Sequence, residues 1–249
     1  MRVVIKASEV AAICGLNRYK PRNEVLDEMW KKYSPETFTG RTKNDRAVEA
    51  LGASAEAQQV LKSALNINAK NSTEVQNIFE EAKTKVNLDP KLSDAQKAEV
   101  VEHLRSKVYT SHGTRTEDKT SDKVEVETGA KLVKDNAFYN IDVCTLGDVN
   151  FVVTGRIDRI EEQPDGSRVL VEIKNRTNRL FRKVVEYEMV QVQVYLQMLG
   201  LVKARLIEQY NNQVLSHPID RDEEMWVNVI KPGLEEFSQE LYSKWNSTK

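Results

Sequence analysis

The sequence has few of the residues that mark metal-thiolate, disulfide-stapled or membrane proteins. Two cysteines in 249 residues cannot form a four-thiolate zinc or iron–sulfur site. Cys14 and Cys144 stand in the apolar segments AAICGL and NIDVCTL, the usual setting of buried free thiols; a disulfide between them is an alternative that nothing in the sequence supports. The three histidines, His103, His112 and His217, have no zinc-like spacing, so none is assigned to catalysis. No apolar run reaches the ~18 residues of a membrane span and there is no signal-peptide layout, so the expectation is a protein that is not secreted, has no membrane partner and is intracellular. Charge of either sign is also lacking in excess. The formal net charge is -1, so affinity for a polyanion has to come from local basic patches and bound metal.

What is present reads as a folded protein. Hydrophobic residues make up 40% and charged residues 30% of the chain, too apolar a mixture for disorder, and the length allows one large domain or one domain with a sizeable insertion. Residues 1–35 open with a strand-like run. A short helix over Glu9 to Cys14 follows, with Ser8 as its N-cap and Gly15 as its stop, and Pro21 opens a second helix with Val25, Leu26, Met29 and Trp30 on its apolar face. Residues 42–110 change character. Rich in Ala, Glu, Lys and Gln, with start signals at Ser72 and Ser93, they read as two or three helices and as an insertion into a single domain over 1–249. From about residue 111 the pattern gives a weak helix ending near Gly129, then short strand runs with a hairpin turn at Pro164-Asp165-Gly166-Ser167. An apolar helix over roughly 184–202, a hairpin at Asn211-Asn212 and a last helix broken at Pro232-Gly233 complete the chain.

Parity along that first hairpin singles out chemistry, because successive side chains of a strand point to opposite faces. In FVVTGRIDRI, Phe151, Val153 and Ile157 share one parity while Thr154, Arg156 and Asp158 share the other. In RVLVEIKN, Val169, Val171 and Ile173 alternate with Glu172 and Lys174. Two paired strands that bury their apolar parity therefore present Asp158, Glu172 and Lys174 together. Converging carboxylates suit a hard cation such as Mg²⁺ or Mn²⁺, with the backbone carbonyl of Ile173 as a further oxygen ligand and Lys174 set to orient a water or neutralise charge on a phosphate. Taken alone, E-I-K is equally an amphipathic strand with an exposed Glu and Lys.

The order of motifs resolves that ambiguity by resemblance. Gly155 to Arg159 read G-x-x-D-R, and Glu172 to Lys174 read E-x-K; together they resemble the core of the PD-(D/E)XK nuclease superfamily. Upstream, HGTRTE sets Glu117 four residues after Gly113. Downstream, VQVQVYLQMLG carries Gln191 and Tyr195. Both are similar to motifs of the viral recombinase branch, the phage lambda exonuclease-like proteins, and the N-terminal ASEV is similar to a segment near the 5′-phosphate pocket there. The likeness covers residues 1–20 loosely and 111–200 well. It implies an α/β fold, a restriction-endonuclease-like core with a central mixed β-sheet flanked by helices and a helical insertion. It also implies hydrolysis of DNA at linear ends in viral or phage recombination or repair, inside a host cytoplasm or nucleus.

By the same resemblance Glu117, Asp158, Glu172, Lys174 and Gln191 are catalytic, Glu117 completes the metal site, and Ser8 and Tyr195 contact DNA. A single-strand annealing or recombination protein is the implied partner, and a homo-oligomer the implied assembly. Gln193, two residues on, is the alternative to Gln191. The chain departs from the pattern at His112, where the family has Arg, and in the block 42–110, which has no counterpart in it. A structure- or sequence-directed endonuclease and a non-catalytic DNA-binding or partner-recruiting protein remain as alternatives. Directly after the E-x-K strand, Arg176, Arg179, Arg182 and Lys183 form a basic run expected to neutralise phosphates, with Arg18, Lys20 and Arg22 as a second cluster.

Overall fold

Gly155 divides the chain's longest strand pattern into two. The computed structural model describes residues 1–246. Strands β1 (Arg2–Lys6), β3 (Tyr139–Leu146) and β4 (Val149–Gly155) form a three-stranded sheet in the order β1-β4-β3, with β1 parallel and β3 antiparallel to β4. Strands β2 (Lys131–Lys134), β5 (Arg159–Glu162), β6 (Arg168–Asn175), β7 (Lys203–Tyr210) and β8 (Gln213–Asp220) form a second sheet in that order, parallel at β6–β7 and antiparallel elsewhere. The α/β class with mixed sheet and flanking helices is as expected, with the sheet in two parts. At the last residue of β4 the side chains of Tyr195 and Ala7 fill the space that a Cβ at position 155 would need, so only glycine fits there. FVVTGRIDRI is not one strand. Asp158 lies in the break between β4 and β5, against the expectation that placed it on a strand.

The N-terminal segment is also tighter than its sequence suggests. A 3₁₀ turn, Ala7–Glu9, leads into the short helix α1 (Val10–Ile13), and Ser8 makes no capping hydrogen bond. Gly15 ends the turn with φ of 73°, a conformation open to glycine. Helix α2 (Arg22–Tyr33) follows Pro21, burying Val25, Leu26 and Met29. These pack with Ile5, Phe151, Val192, Leu196 and Phe237 into the main core.

The helical block consists of α3 (Lys43–Gly52), α4 (Ala55–Asn66), α5 (Ser72–Leu88) and the first part of α6 (Asp94–Thr128). It has apolar clusters of its own, around Phe79 and Leu104 and around Leu51 and Val86. Asn71, not Ser72, caps α5, whereas Ser93 caps α6 in a reciprocal box with Gln96. The composition change near residue 111 marks no boundary in the backbone. Helix α6 runs unbroken for 35 residues, about 50 Å, to the left-handed Gly129. It thereby joins the block rigidly to the segment bearing Glu117.

Helix α7 (Glu186–Leu199) lies in the main core, and α8 (Glu223–Met225), a π turn at Trp226–Ile230 and α9 (Lys231–Asn246) close the chain. Pro232 does not break the helix, which runs on directly from the π turn at Trp226–Ile230; the wider turn lies immediately before the proline, where a hydrogen bond is missing. Gly233 there lies against Cys14 Sγ. Both cysteines are free, and burial pushes the Cys14 thiol up to about 11. Among the described residues no helix is long and apolar enough to cross a membrane.

Candidate active site

Four elements bring the expected residues together: the turn before β5, strand β6, and helices α6 and α7. The β5–β6 hairpin pairs Arg159 with Val171, which sets Asp158 opposite the end of β6. Asp158 Oδ2 accepts a 2.7 Å hydrogen bond from the backbone N–H of Ile173. On an extended strand a residue's N–H and C=O leave by the same edge, so the Ile173 carbonyl lies on the Asp158 side, where a ligand role for it requires it. Glu172 is 3% exposed. Lys174 Nζ donates to Glu172 Oε1 at 2.8 Å and to Gln191 Oε1 at 3.2 Å, and Gln191 Nε2 donates to Glu172 Oε1 at 3.1 Å. The second carboxylate oxygen of Glu172, Oε2, is buried without any hydrogen-bond partner.

The electrostatics follow from that crowding. Burial, and then the neighbouring Asp158, push the carboxyl groups of Glu172 and Glu117 up to about 7. Burial likewise raises Asp158, opposed by the Ile173 N–H and by Lys174. For Lys174, burial works against the charge, but Glu172 and Asp158 outweigh it and hold the ammonium protonated. These three acids sense one another, yet among the described residues no three His, Cys, Asp or Glu side chains are gathered tightly enough to enclose a metal as they stand.

Gln191, not Gln193, faces this cluster. Gln193 is buried on another side of α7, donating to the Asp220 carbonyl and accepting from the Asp222 N–H. Tyr195 corrects its expected role. It is 5% exposed, pressed against Gly155, and its hydroxyl accepts from Gln191 Nε2 at 3.2 Å, so it positions Gln191 and cannot stack on DNA.

Arg176 is corrected in the same way. It is 8% exposed and forked onto Glu188, with Nη2 to Oε2 at 2.8 Å, while Nε reaches Glu208 Oε2 at 3.1 Å; its charge is spent inside the protein. Arg179, Arg182 and Lys183 remain exposed. Their loop is pinned between them: Ser72 Oγ donates to the Arg176 carbonyl at 2.6 Å, Gln76 Nε2 to Asn178 Oδ1 at 2.5 Å, and the Phe181 N–H to Glu208 Oε2 at 2.6 Å. In the second basic cluster Lys20 is paired with Glu28 and Arg22 with Glu240, which leaves Arg18. Ser8 is exposed on the turn whose Ala7 touches Gly155.

Sequence reasoning missed Arg159. It is 3% exposed, donates to the Asp158 carbonyl at 2.6 Å and to Ser121 Oγ at 3.0 Å, and pairs with Asp118. It clamps α6 to the Asp158 turn and so holds Glu117 beside Asp158. The signal was available: Asp118 and Ser121 lie one and four residues after Glu117, and Arg159 follows Asp158. A Cβ at Gly113 would meet nothing. His112 is buried, and burial followed by Arg115 lowers its pKa, so it stays a neutral packing residue.

No curated protein sequence matches the chain. Among solved structures it is similar to an alkaline exonuclease (LHK-Exo) from Laribacter hongkongensis, with TM-score 0.44, 16% identity, and 82% of this chain and 95% of that one covered. The same exonuclease in complex with dAMP gives TM-score 0.44 and 17% identity, covering 83% and 96%. A phage related exonuclease from Haemophilus somnus 129PT gives TM-score 0.41 and 15% identity, covering 72% and 95%. The profile of the PD-(D/E)XK nuclease superfamily matches residues 49–244, a span that contains Glu117, Asp158, Glu172, Lys174 and Gln191, and on that match the chain belongs to the PD-(D/E)XK nuclease superfamily.

Proposed function

We propose that the protein is a metal-dependent deoxyribonuclease that degrades DNA from linear ends, as an exonuclease of viral or phage recombination or repair acting inside the cell. The observation that carries this reading is the buried, unpartnered Oε2 of Glu172 in a cluster of three acids with one lysine in contact. A buried carboxylate oxygen without a partner is costly in a resting protein. A divalent cation removes that cost, and an all-oxygen donor set suits Mg²⁺ or Mn²⁺.

Asp158, Glu172, Glu117 and the Ile173 carbonyl would hold the ion, which when bound supplies charge stabilisation at the scissile phosphate and a more acidic water. The chain's own groups do the rest. Lys174 sets its ammonium beside the attacking water and the phosphate, where a point charge can follow the negative charge as it builds. Gln191, held by Tyr195, fixes Lys174 in that place. Arg179, Arg182 and Lys183, carried on the pinned loop, neutralise flanking phosphates, and Ser8 lies beside the turn that carries Asp158. The helical block, as an insertion in one nuclease domain, shapes access to the site without supplying a catalytic group. A single-strand annealing protein is the proposed partner, and a ring or other homo-oligomer the proposed assembly.

Incubation of linear and covalently closed duplex DNA with Mg²⁺ tests this reading. Linear DNA should be consumed and closed circles should survive. Undiminished cleavage in EDTA would overturn the metal role, and nicking of closed circles as fast as linear DNA would turn the reading to an endonuclease.

A further inference from the structure

The aromatic residue that sequence reasoning assigned to DNA is buried, but at the edge of the same site Tyr19 stands open against a half-buried Tyr187. Tyr19 is 62% exposed. It follows the Asn17 turn, where Asn17 Oδ1 accepts from the Tyr19 N–H at 2.9 Å and from the Lys20 N–H at 3.3 Å. Lys20, anchored to Glu28 at 2.7 Å, fixes the other side, so the ring is presented by a pinned turn. Its partner is Tyr187, packed edge to face at 5.8 Å between centroids and an interplanar angle of 83°. Arg18 lies over the Tyr19 ring at 4.7 Å and donates to its hydroxyl at 2.5 Å. No carboxylate is paired with Arg18 among the described ion pairs.

The place of this group matters as much as its composition. Tyr187 is on α7 one turn before Gln191, about 6 Å along the axis and on the same face, and Gln191 holds Lys174 and Glu172. Tyr19 also edges a cleft of about 340 Å³ toward α3 and α6, at the lower end of the range for small-ligand pockets. Its Lys20 and Lys43 are engaged by Glu28 and Glu102.

We propose that Arg18, Tyr19 and Tyr187 form a stacking platform for an unpaired nucleobase next to the cleaved bond. An exposed ring with an unpaired guanidinium beside it matches a base joined to a phosphate. Stacking is tolerant of sequence because every base offers a π face. The proposal rests on the DNA-cleaving reading and deepens it by naming a single-stranded end as what the rim of the site receives. The platform discriminates unpaired from paired ends, since a base inside a duplex has no free face to offer.

The test is a cycle of binding measurements in EDTA by fluorescence anisotropy. It uses a labelled single-stranded oligodeoxynucleotide and a series in which one abasic position is moved along it, against the full chain and its Tyr19→Ala and Tyr19→Trp variants. Tyr19→Ala should weaken binding of the intact strand roughly ten- to hundredfold, and Tyr19→Trp should hold it. With the abasic position at the platform, the parent and Tyr19→Ala should bind alike. Equal loss on the intact strand and on every abasic strand, unchanged binding by Tyr19→Ala, or failure of the parent to bind a single strand would each overturn the platform. Mg²⁺-dependent cleavage by the parent protein, measured in parallel, reports separately on the nuclease reading.

Discussion

Two clusters of charge stand a few residues apart, one just past the end of strand β6 and one on it, and they are built on opposite plans. Around Arg176, every carboxylate oxygen is engaged: Glu188 receives the guanidinium fork, Glu208 Oε2 receives Arg176 Nε and the Phe181 N–H, and Glu208 Oε1 meets His217 Nε2 at 2.9 Å. Around Glu172, Lys174 is in contact with Glu172 alone of the three acids, one oxygen has no partner, and two carboxyl groups are pushed up to about 7. The Arg176 cluster is the more deeply buried, since in the second cluster Glu172 is buried while Glu117, Asp158 and Lys174 are half-buried. The clusters differ also in how far their polar atoms are satisfied. The first cluster holds β6, β8, α7 and the basic loop in register; the second is left incomplete, as a site waiting for a cation and a phosphate is incomplete.

The largest effect expected from this contrast is on chemistry. Asp158→Asn keeps an acceptor for the Ile173 N–H but removes a charge of the proposed metal site. Cleavage should fall by about a thousandfold or more, while the metal-free protein melts no lower than the parent because a repelled carboxylate has been neutralised. Single-turnover rates and thermal melts in EDTA read the two quantities separately. An active Asp158→Asn protein, or one that unfolds, would erase the difference between the clusters.

That contrast also explains what the sequence made legible. Strand parity on β6 put Glu172 and Lys174 on one face, and the resemblance to the PD-(D/E)XK motifs singled out Asp158 and Gln191. The parity of β6 is a local rule that survives folding; parity along FVVTGRIDRI did not, because Asp158 lies in the break before β5. The places of Arg176 and Tyr195 were set by tertiary partners: Arg176 follows Lys174 in a basic run, but Glu188 and Glu208 arrive from 12 and 32 residues away, and nothing in the run announces them. The close approach of the Tyr195 ring to Gly155 was hidden likewise, because that ring comes from α7. Helix α6 was under-read at its start, since a change in composition at residue 111 does not interrupt backbone hydrogen bonding.

The satisfied cluster yields the second prediction. Arg176→Met leaves Glu188 and Glu208 buried without their cation, and breaking a buried ion pair in this way costs about 3–5 kcal/mol. For a chain of this size that lowers the melting temperature by roughly 10 °C. The cleavage rate per folded molecule should stay within a few-fold of the parent, measured at a temperature where both are folded. A hundredfold loss of rate with the melt unchanged would move Arg176 from the structural cluster into the catalytic one.

The smallest effect is a dependence of stability on pH, and its direction separates the clusters without touching activity. Burial and Asp158 raise Glu172 and Glu117 to about 7 from an ordinary 4.5. A carboxyl group raised by folding binds its proton more tightly in the native than in the unfolded state. Its contribution to stability is therefore complete below about pH 4.5 and is lost as pH climbs through 7. The metal-free parent should lose stability from pH 5 to pH 8 relative to Glu172→Gln, by at least about 2 °C in melting temperature. Glu172 supplies most of that, because solvent screens the less buried Glu117. A divalent cation requires the ionised carboxylates, so Mg²⁺ or Mn²⁺ should raise the melting temperature more at pH 8 than at pH 5.5, where protons compete for the same oxygens. Parallel pH profiles for parent and variant in EDTA, or a metal effect larger in acid, would show that the carboxylates of β6 and α6 are not the incomplete site that their geometry describes.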